Sequence, residues 1–319
     1  MLIALGFILI GFILLIGGAE YLVRGSVALA DKMKIPSLIV GLTVVALGTS
    51  TPEFVVSVKA ALNGSGGISL GNVIGSNIAN ILLILGVTSL ICPIITKREE
   101  FLRDYKVLFL ATAVFVAFAL TGKFVLWQGI VMLAILCGYI YYNYYNAKKT
   151  NVVEELDNPM AGKGWIAIIL TTLAGLVAIV YGADLLVRGA IDVARILNVS
   201  EDIIGLTIVA VGTSLPELAT TVMAAIRKQN DVALGNVVGS NIWNIVFIMG
   251  FTSCVTEVDV SAQLRHFDIW VMLGSTILLL PMILTGNKIS RFEGGVLVLL
   301  YTAYIIVQIM ISKGIFVIG

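Results

Sequence analysis

The feature that most constrains this chain is a repeat. Residues Gly41–Asn80 align with Gly205–Asn244 at a fixed offset of 164, without a gap and with 22 of 40 positions identical. The match extends upstream, where "GGAEYLVRGSVALA" from Gly17 pairs with "YGADLLVRGAIDVA" from Tyr181. Arg24 then meets Arg188, and Glu20 meets Asp184. Such self-similarity means that the chain is built from copies of one unit. Two units are expected, 1–146 and 164–319, joined by a polar linker at 147–163.

Each unit is too apolar for a soluble domain. The 319 residues are 59% hydrophobic and 12% charged, with a mean hydropathy of +1.05, whereas soluble domains carry about 25% charge. Apolar runs of 18 or more residues read as membrane spans. Ten are predicted, at 2–28, 37–62, 68–92, 104–121, 124–146, 164–192, 201–226, 232–256, 267–285 and 291–312. They leave no room for a soluble enzyme domain, so an enzyme is not expected. The opening run "MLIALGFILIGFILL" has no basic n-region and no cleavage site, and it reads as a first span rather than a removed signal.

Five spans per unit is an odd number. A unit that enters the membrane from one face leaves at the other, so the second unit inserts upside down. Inverted repeats of this kind mark secondary transporters. The expected fold is all-α and integral to the membrane. It has ten transmembrane helices as two inverted-topology five-helix repeats, with broken helices at the midplane. Fourteen Lys and Arg residues fall on the side reached after odd-numbered spans and six on the other. That bias places the linker in the cytoplasm and both termini outside, in a prokaryotic-type plasma membrane. The lipid bilayer is the expected partner. The net charge of +1 gives no sign of a nucleic-acid partner, and no obligatory protein partner is expected.

Within the repeat, "GTSTPE" at Gly48–Glu53 recurs as "GTSLPE" at Gly212–Glu217. Pro52 lacks an N–H and clashes with the preceding turn, so it breaks a helix. Thr51 before it is pushed out of the helical region. The sequence predicts two half-helices with an unwound link near Ala46–Thr51. Pro52 suits the first turn of the second half, which puts Glu53 at that half-helix's positive end. Intramembrane carboxylates are costly and are functional-site candidates. Irregular backbone at that depth is tolerated where it lines a cavity or is buried in protein.

The following span carries "GNVIGSNIANI", repeated as "GNVVGSNIWNI". Ser76 and Asn80 are four apart and share a helix face, and Asn72 continues the stripe. Asn236, Ser240 and Asn244 do the same, while Asn77 and Asn241 lie off the stripe and read as interhelical hydrogen-bonding residues. Gly71, Gly75, Gly235 and Gly239 are expected to admit close helix approach.

The assembled site is all oxygen: two carboxylates, hydroxyls, amides and freed carbonyls. It offers no thiolate or imidazole, so soft and borderline metals are poorly served. A calcium-type ion takes six to eight oxygens, and two glutamates balance its charge. Cys92, Cys137 and Cys254 stand apart, with no metal or redox spacing, and read as small buried hydrophobes. The one histidine, His266, sits at a predicted membrane boundary beside Arg265 and Asp268 and reads as interfacial. No phosphate loop or nucleophile–base pair is present, so an ATP-driven pump is excluded.

The paired "GTSxPE" and "GNxxGSNIxNI" motifs, repeated across two halves, resemble the calcium/cation antiporter superfamily, especially its sodium/calcium exchanger branch and prokaryotic relatives. The resemblance covers essentially the whole chain. It implies four central ion sites near the midplane and alternating access, with the first and sixth spans sliding across the rest. Carried over by motif position, Glu53 and Glu217 are the main calcium carboxylates, and Thr49 and Thr213 add oxygens beside them. Ser50, Ser214, Ser76, Ser240 and the carbonyls of Ala46 and Ala210 would line flanking sodium-type sites, and Asn80 and Asn244 would line the middle. No cofactor is implied; the cargo is calcium with protons or sodium.

One departure matters. In sodium/calcium exchangers of this type, one of the two middle positions is usually an aspartate, and here both are asparagine. Two acids can be discharged by two protons when calcium leaves, and burial disfavours their charged form. Calcium/proton exchange is the favoured expectation, with sodium/calcium exchange as its alternative. A passive cation channel is a rival from another class. The in-plane pseudo-twofold and the broken helices favour a transporter over it.

Overall fold

The structure, a computed structural model, describes residues 1–96, 98–149, 158, 160–197 and 210–315. Most of the predicted linker lies outside the described residues, as does the first part of the predicted span 201–226. Nearly every described element is a helix. In chain order these are α1 Leu2–Met33, α2 Ser37–Thr49, α3 Thr51–Leu62, α4 Gly66–Ile91, α5 Arg98–Ala119 and α6 Leu126–Lys149, then α7 Trp165–Ile196, α8 Ala210–Gly212, α9 Leu215–Ile226, α10 Asn230–Val255, α11 Leu264–Gly286 and α12 Arg291–Ser312.

Among the described residues, seven of these helices are long and apolar enough to cross a membrane, and the bent pair α2–α3 makes eight. The chain is an integral membrane protein. Helix α5 opens on Arg98, Glu99 and Glu100 and carries Arg103, Asp104 and Lys106, and α9 has only 12 residues. Those two fall short of a span by composition and by length.

Helices α1 and α7 pack antiparallel along a stripe of small residues. Gly11, Gly18 and Gly25 recur every seven residues on α1, and Gly175, Gly182 and Gly189 do so on α7. An added Cβ at Gly11 would lie 2.7 Å from the Gly182 carbonyl, and one at Gly18 would lie 2.9 Å from the Gly175 carbonyl. Backbone meets backbone along this seam, which is how small residues let membrane helices approach.

The predicted unwound link is corrected. Ala46–Thr49 is helical, and the break is the single residue Ser50, where the axis bends by 46°. Pro52 stands in the first turn of α3, where its missing N–H removes nothing that α3 needs. Phe54 N–H donates to the Ser50 carbonyl at 3.1 Å and closes the new turn. The Thr51 hydroxyl covers the Leu47 carbonyl at 3.0 Å. The local repair shortens the irregular stretch. The second break is longer, with Thr213 and Ser214 between α8 and α9.

Instead of a long link, the chain spends its irregularity on π-helical turns at Gly41–Val45, Ala79–Ile84 and Trp243–Met249. Such turns often mark functional sites, and two of them hold Asn80 and Asn244. Trp243 Nε1 donates to the Leu42 carbonyl at 3.0 Å, tying one π turn to another across the two units.

Gly235 and Gly239 do admit close approach, with an added Cβ at 2.7 Å from the Leu38 carbonyl and 2.6 Å from the Leu42 carbonyl. Nothing among the described residues lies within 4 Å of a Cβ at Gly71 or Gly75; residues 202 and 206, which match Leu38 and Leu42 in the repeat, are outside the described set.

Four two-residue strands close the ends. Strand β1 (Ile94–Ile95) pairs with β4 (Lys288–Ile289), and β2 (Lys123–Phe124) pairs with β3 (Val258–Asp259), both antiparallel. Each ladder joins the N-terminal unit to the C-terminal one. The sequence expectation for the cysteines is also corrected. Cys137 is exposed and Cys92 and Cys254 are half-buried, with Cys92 just past the end of α4 and Cys254 packed against Gly129 of α6. His266 is exposed, as expected, but its neighbour Asp268 is buried and accepts from Tyr304 Oη at 2.8 Å and from the Gln308 amide.

Candidate functional site

The two helix breaks carry the acids to one place. Glu53 and Glu217 sit in the first turns of α3 and α9, where the positive end of each helix favours a carboxylate. Both are 1% exposed. The Ser50 hydroxyl donates to Glu217 Oε1 at 2.9 Å, across the two units. Thr49 and Ser240 also face the Glu217 carboxylate, and Thr213 and Ser214 face that of Glu53. Each acid is therefore met by hydroxyls from the opposite unit's break. A spacing argument within one unit could not have found this crossing.

Thr49, Ser50, Ser76, Asn80, Ser214, Ser240 and Asn244 are all buried. Thr213 is half-buried. Ala46 opens the last helical turn of α2, and its carbonyl accepts from Ser50 N–H at 3.0 Å. A carbonyl has two lone pairs, and Thr49 Oγ1 lies 3.4 Å from this one, so a Thr49 hydrogen turned elsewhere leaves a lone pair for a ligand. Ala210 opens α8, and its side chain lies outside the described residues.

Sequence reasoning left Asn72 and Asn236 without a role. Asn72 Nδ2 donates to the Glu53 carbonyl at 3.2 Å and to Ser57 Oγ at 2.9 Å. Asn236 Nδ2 donates to the Glu217 carbonyl at 3.3 Å and to Thr221 Oγ1 at 2.9 Å. The signal was present in the "GN" that opens both copies of the second motif. Asn241 accepts from Asn80 Nδ2 at 3.2 Å, an interhelical bond as expected of it, while Asn77 turns back to the Val73 carbonyl of its own helix at 2.7 Å.

Several buried polar atoms here have no hydrogen-bond partner: Glu53 Oε2, Glu217 Oε2, Ser214 Oγ, Ser240 Oγ, Asn80 Oδ1 and both amide atoms of Asn244. Buried polar groups are ordinarily satisfied. Seven such groups in one cluster, most of them oxygens, suit a hard cation. Among the described residues no group of three or more His, Cys, Asp or Glu forms a metal cluster, so the charge must come from the two glutamates. Beside the acids, a cavity of about 430 Å³ is lined by Thr51, Pro52, Thr213, Pro216 and Asp184. Its lining takes residues from both breaks, Thr51 and Pro52 from one and Thr213 and Pro216 from the other.

Comparison with known proteins agrees with this geometry. The family described as "Sodium/calcium exchanger protein" matches residues 3–145 and again 167–310. The sodium/calcium exchanger MaX1 of Methanosarcina acetivorans is 32% identical over 338 residues, spanning 94% of this chain and 97% of that protein. The inner membrane protein YrbG of Escherichia coli is 32% identical over 290 residues, spanning 88% and 89%. A solved structure of the sodium-calcium exchanger NCX_Mj superposes with a TM-score of 0.83 at 32% identity, covering 95% of this chain and 98% of that one. The doubled motifs, the crossed hydroxyl–carboxylate contacts and these likenesses place the chain in the sodium/calcium exchanger protein family.

Proposed function

We propose that this protein is a secondary active antiporter that exchanges calcium for a monovalent cation by alternating access, with the proton as counter-ion. The observation that carries the proton reading is the donor set. Among the described residues two carboxylates, Glu53 and Glu217, reach the cluster, and both Asn80 and Asn244 are neutral amides. Two carboxylates balance one calcium ion, and two protons balance two carboxylates. A third monovalent ion would leave a net positive charge in a buried cage, and intramembrane charge is costly. In this reading Thr49, Thr213 and the two glutamates hold calcium. Ser50, Ser214, Ser76, Ser240, Asn80, Asn244 and the carbonyls of Ala46 and Ala210 complete the ion sites.

The two units, 1–146 and 164–319, are proposed as inverted five-span repeats. The linker 147–163 would then be cytoplasmic and both termini outside, in a prokaryotic plasma membrane. The fixed sequence offset and the cross-paired strands support this arrangement. Sodium coupling is the second reading. It is favoured by the serine hydroxyls, which suit a small hard cation, and by the sodium/calcium exchanger names of the relatives.

One experiment separates the readings. In sodium-free proteoliposomes, calcium-45 uptake should follow an imposed pH gradient and disappear when a protonophore collapses it. Uptake that requires a sodium gradient would sink the proton reading and keep the exchanger. Uptake with no opposing gradient would support a channel.

A further inference from the structure

We propose that Asn236 and its counterpart Asn72 are positioning residues of the ion site: each braces the backbone of one glutamate, and Asn236 also turns the Thr49 hydroxyl toward the transported cation. This assignment rests on the exchanger reading above.

The argument starts from what an amide can do. The Glu217 carbonyl can only accept a hydrogen bond, so the NH₂ group of Asn236 must face it. That NH₂ also reaches Thr221 Oγ1 at 2.9 Å. Exchanging the nitrogen and oxygen would set acceptor against acceptor, so the orientation is fixed by the network. The other end of the amide, Oδ1, then faces Thr49 Oγ1 at 3.2 Å.

Thr49 has a single hydroxyl hydrogen. Three acceptors surround it: Asn236 Oδ1 at 3.2 Å, the Ala46 carbonyl at 3.4 Å and the Glu217 carboxylate. The exchanger reading gives the last two to the cation. A hydrogen aimed at either would point at the ion. Asn236 Oδ1 is the acceptor that draws the hydrogen away and leaves the hydroxyl's lone pairs on the ion's side. Partners in the outer shell that fix a ligand's orientation in this way control metal affinity.

The other unit repeats half of the device. Asn72 makes the same two donations, to the Glu53 carbonyl and to Ser57. Thr213, the counterpart of Thr49, instead faces Glu53 and lines the cavity. Among the described residues no hydrogen bond joins Thr213 to Asn72. The orienting contact is therefore made to Thr49, which is buried, and not to Thr213, which lines the cavity. Amides that served only for packing would have no reason to aim Oδ1 at a ligand hydroxyl.

Asn236→Leu keeps the branched outline of the side chain, with bulkier methyl groups, and removes all three hydrogen bonds. In proteoliposomes its calcium KM should rise about tenfold or more, within the range of outer-shell changes. Turnover at saturating calcium should stay within about threefold of wild type, the pattern of lost binding without lost turnover. Thr221→Val removes one anchor without changing shape and guards against misfolding of the first variant. It should raise the calcium KM about two- to tenfold, the effect of one hydrogen bond, at an unchanged unfolding temperature. A fall in turnover and unfolding temperature in both variants, with the calcium KM of wild type, would overturn the assignment and leave a packing role. A wild-type protein that moves no calcium would overturn the exchanger reading, and this assignment with it.

Discussion

Glu217→Gln should abolish calcium transport, and Glu53→Gln should do the same. Glutamine keeps the shape of glutamate and keeps an oxygen to accept from Ser50, so the fold around the break has no cause to change. What it loses is charge. A unit charge pair 4 Å apart is worth on the order of 4 kcal/mol at an effective dielectric of 20, about a thousandfold in affinity. The substitution also replaces a cation-binding oxygen with an NH₂ donor, which cannot ligate a cation. Glutamine mimics the protonated acid, so each variant should resemble a transporter that has already released its calcium. Calcium-45 uptake by purified, monodisperse protein is the measurement. Substantial uptake by either variant would remove that carboxylate from the site.

Gly175→Val should separate α1 from α7 and destabilise the protein more than any surface change. A Cβ at Gly175 would lie 2.4 Å from the Leu22 nitrogen and 2.8 Å from the Gly18 carbonyl. Those neighbours are backbone atoms and cannot rotate out of the way. Overpacking ordinarily costs about 1–3 kcal/mol, occasionally more; valine against backbone belongs at the upper end, and Gly175→Ala at the lower. Gly17 supplies the control, because nothing lies within 4 Å of its added Cβ. Unfolding temperatures in detergent should fall for Gly18→Ala and Gly175→Ala and hold for Gly17→Ala. Equal temperatures for Gly17→Ala and Gly18→Ala would contradict the packing of this seam.

The sequence shows these elements unequally. The positions of the helices follow from apolar run length, and the seven described helices long and apolar enough to cross a membrane, eight with the bent pair, fall on predicted spans. The acids and their proline breaks follow from the doubled motif. The length of the break does not, because it depends on how the chain around Pro52 closes its hydrogen bonds, with the Thr51 hydroxyl on the Leu47 carbonyl and Phe54 N–H on the Ser50 carbonyl, and motif spacing says nothing of that. Crossed contacts such as Ser50 to Glu217 and Thr49 to Asn236 join residues 167 and 187 apart. Only the packing of one unit on the other can reveal them. The π turns around Asn80 and Asn244 are equally silent in the sequence, since a π turn and an α turn share the same apolar pattern. The two-residue strands are too short for any alternation to register.

Those short strands have a mechanical consequence. Ladder β1–β4 fastens the end of α4 to the connection between α11 and α12, and ladder β2–β3 fastens the connection between α5 and α6 to the end of α10. Chain connectivity and the two ladders together form a closed hoop with two buckles, one belonging to each direction of the exchange between units. A hoop fastened twice cannot splay at one end without unfastening a buckle. Helices α1 and α7 belong to neither ladder, and glycines at seven-residue spacing bring their backbones together along the seam they share. A shift of α1 together with α7 would leave both buckles fastened.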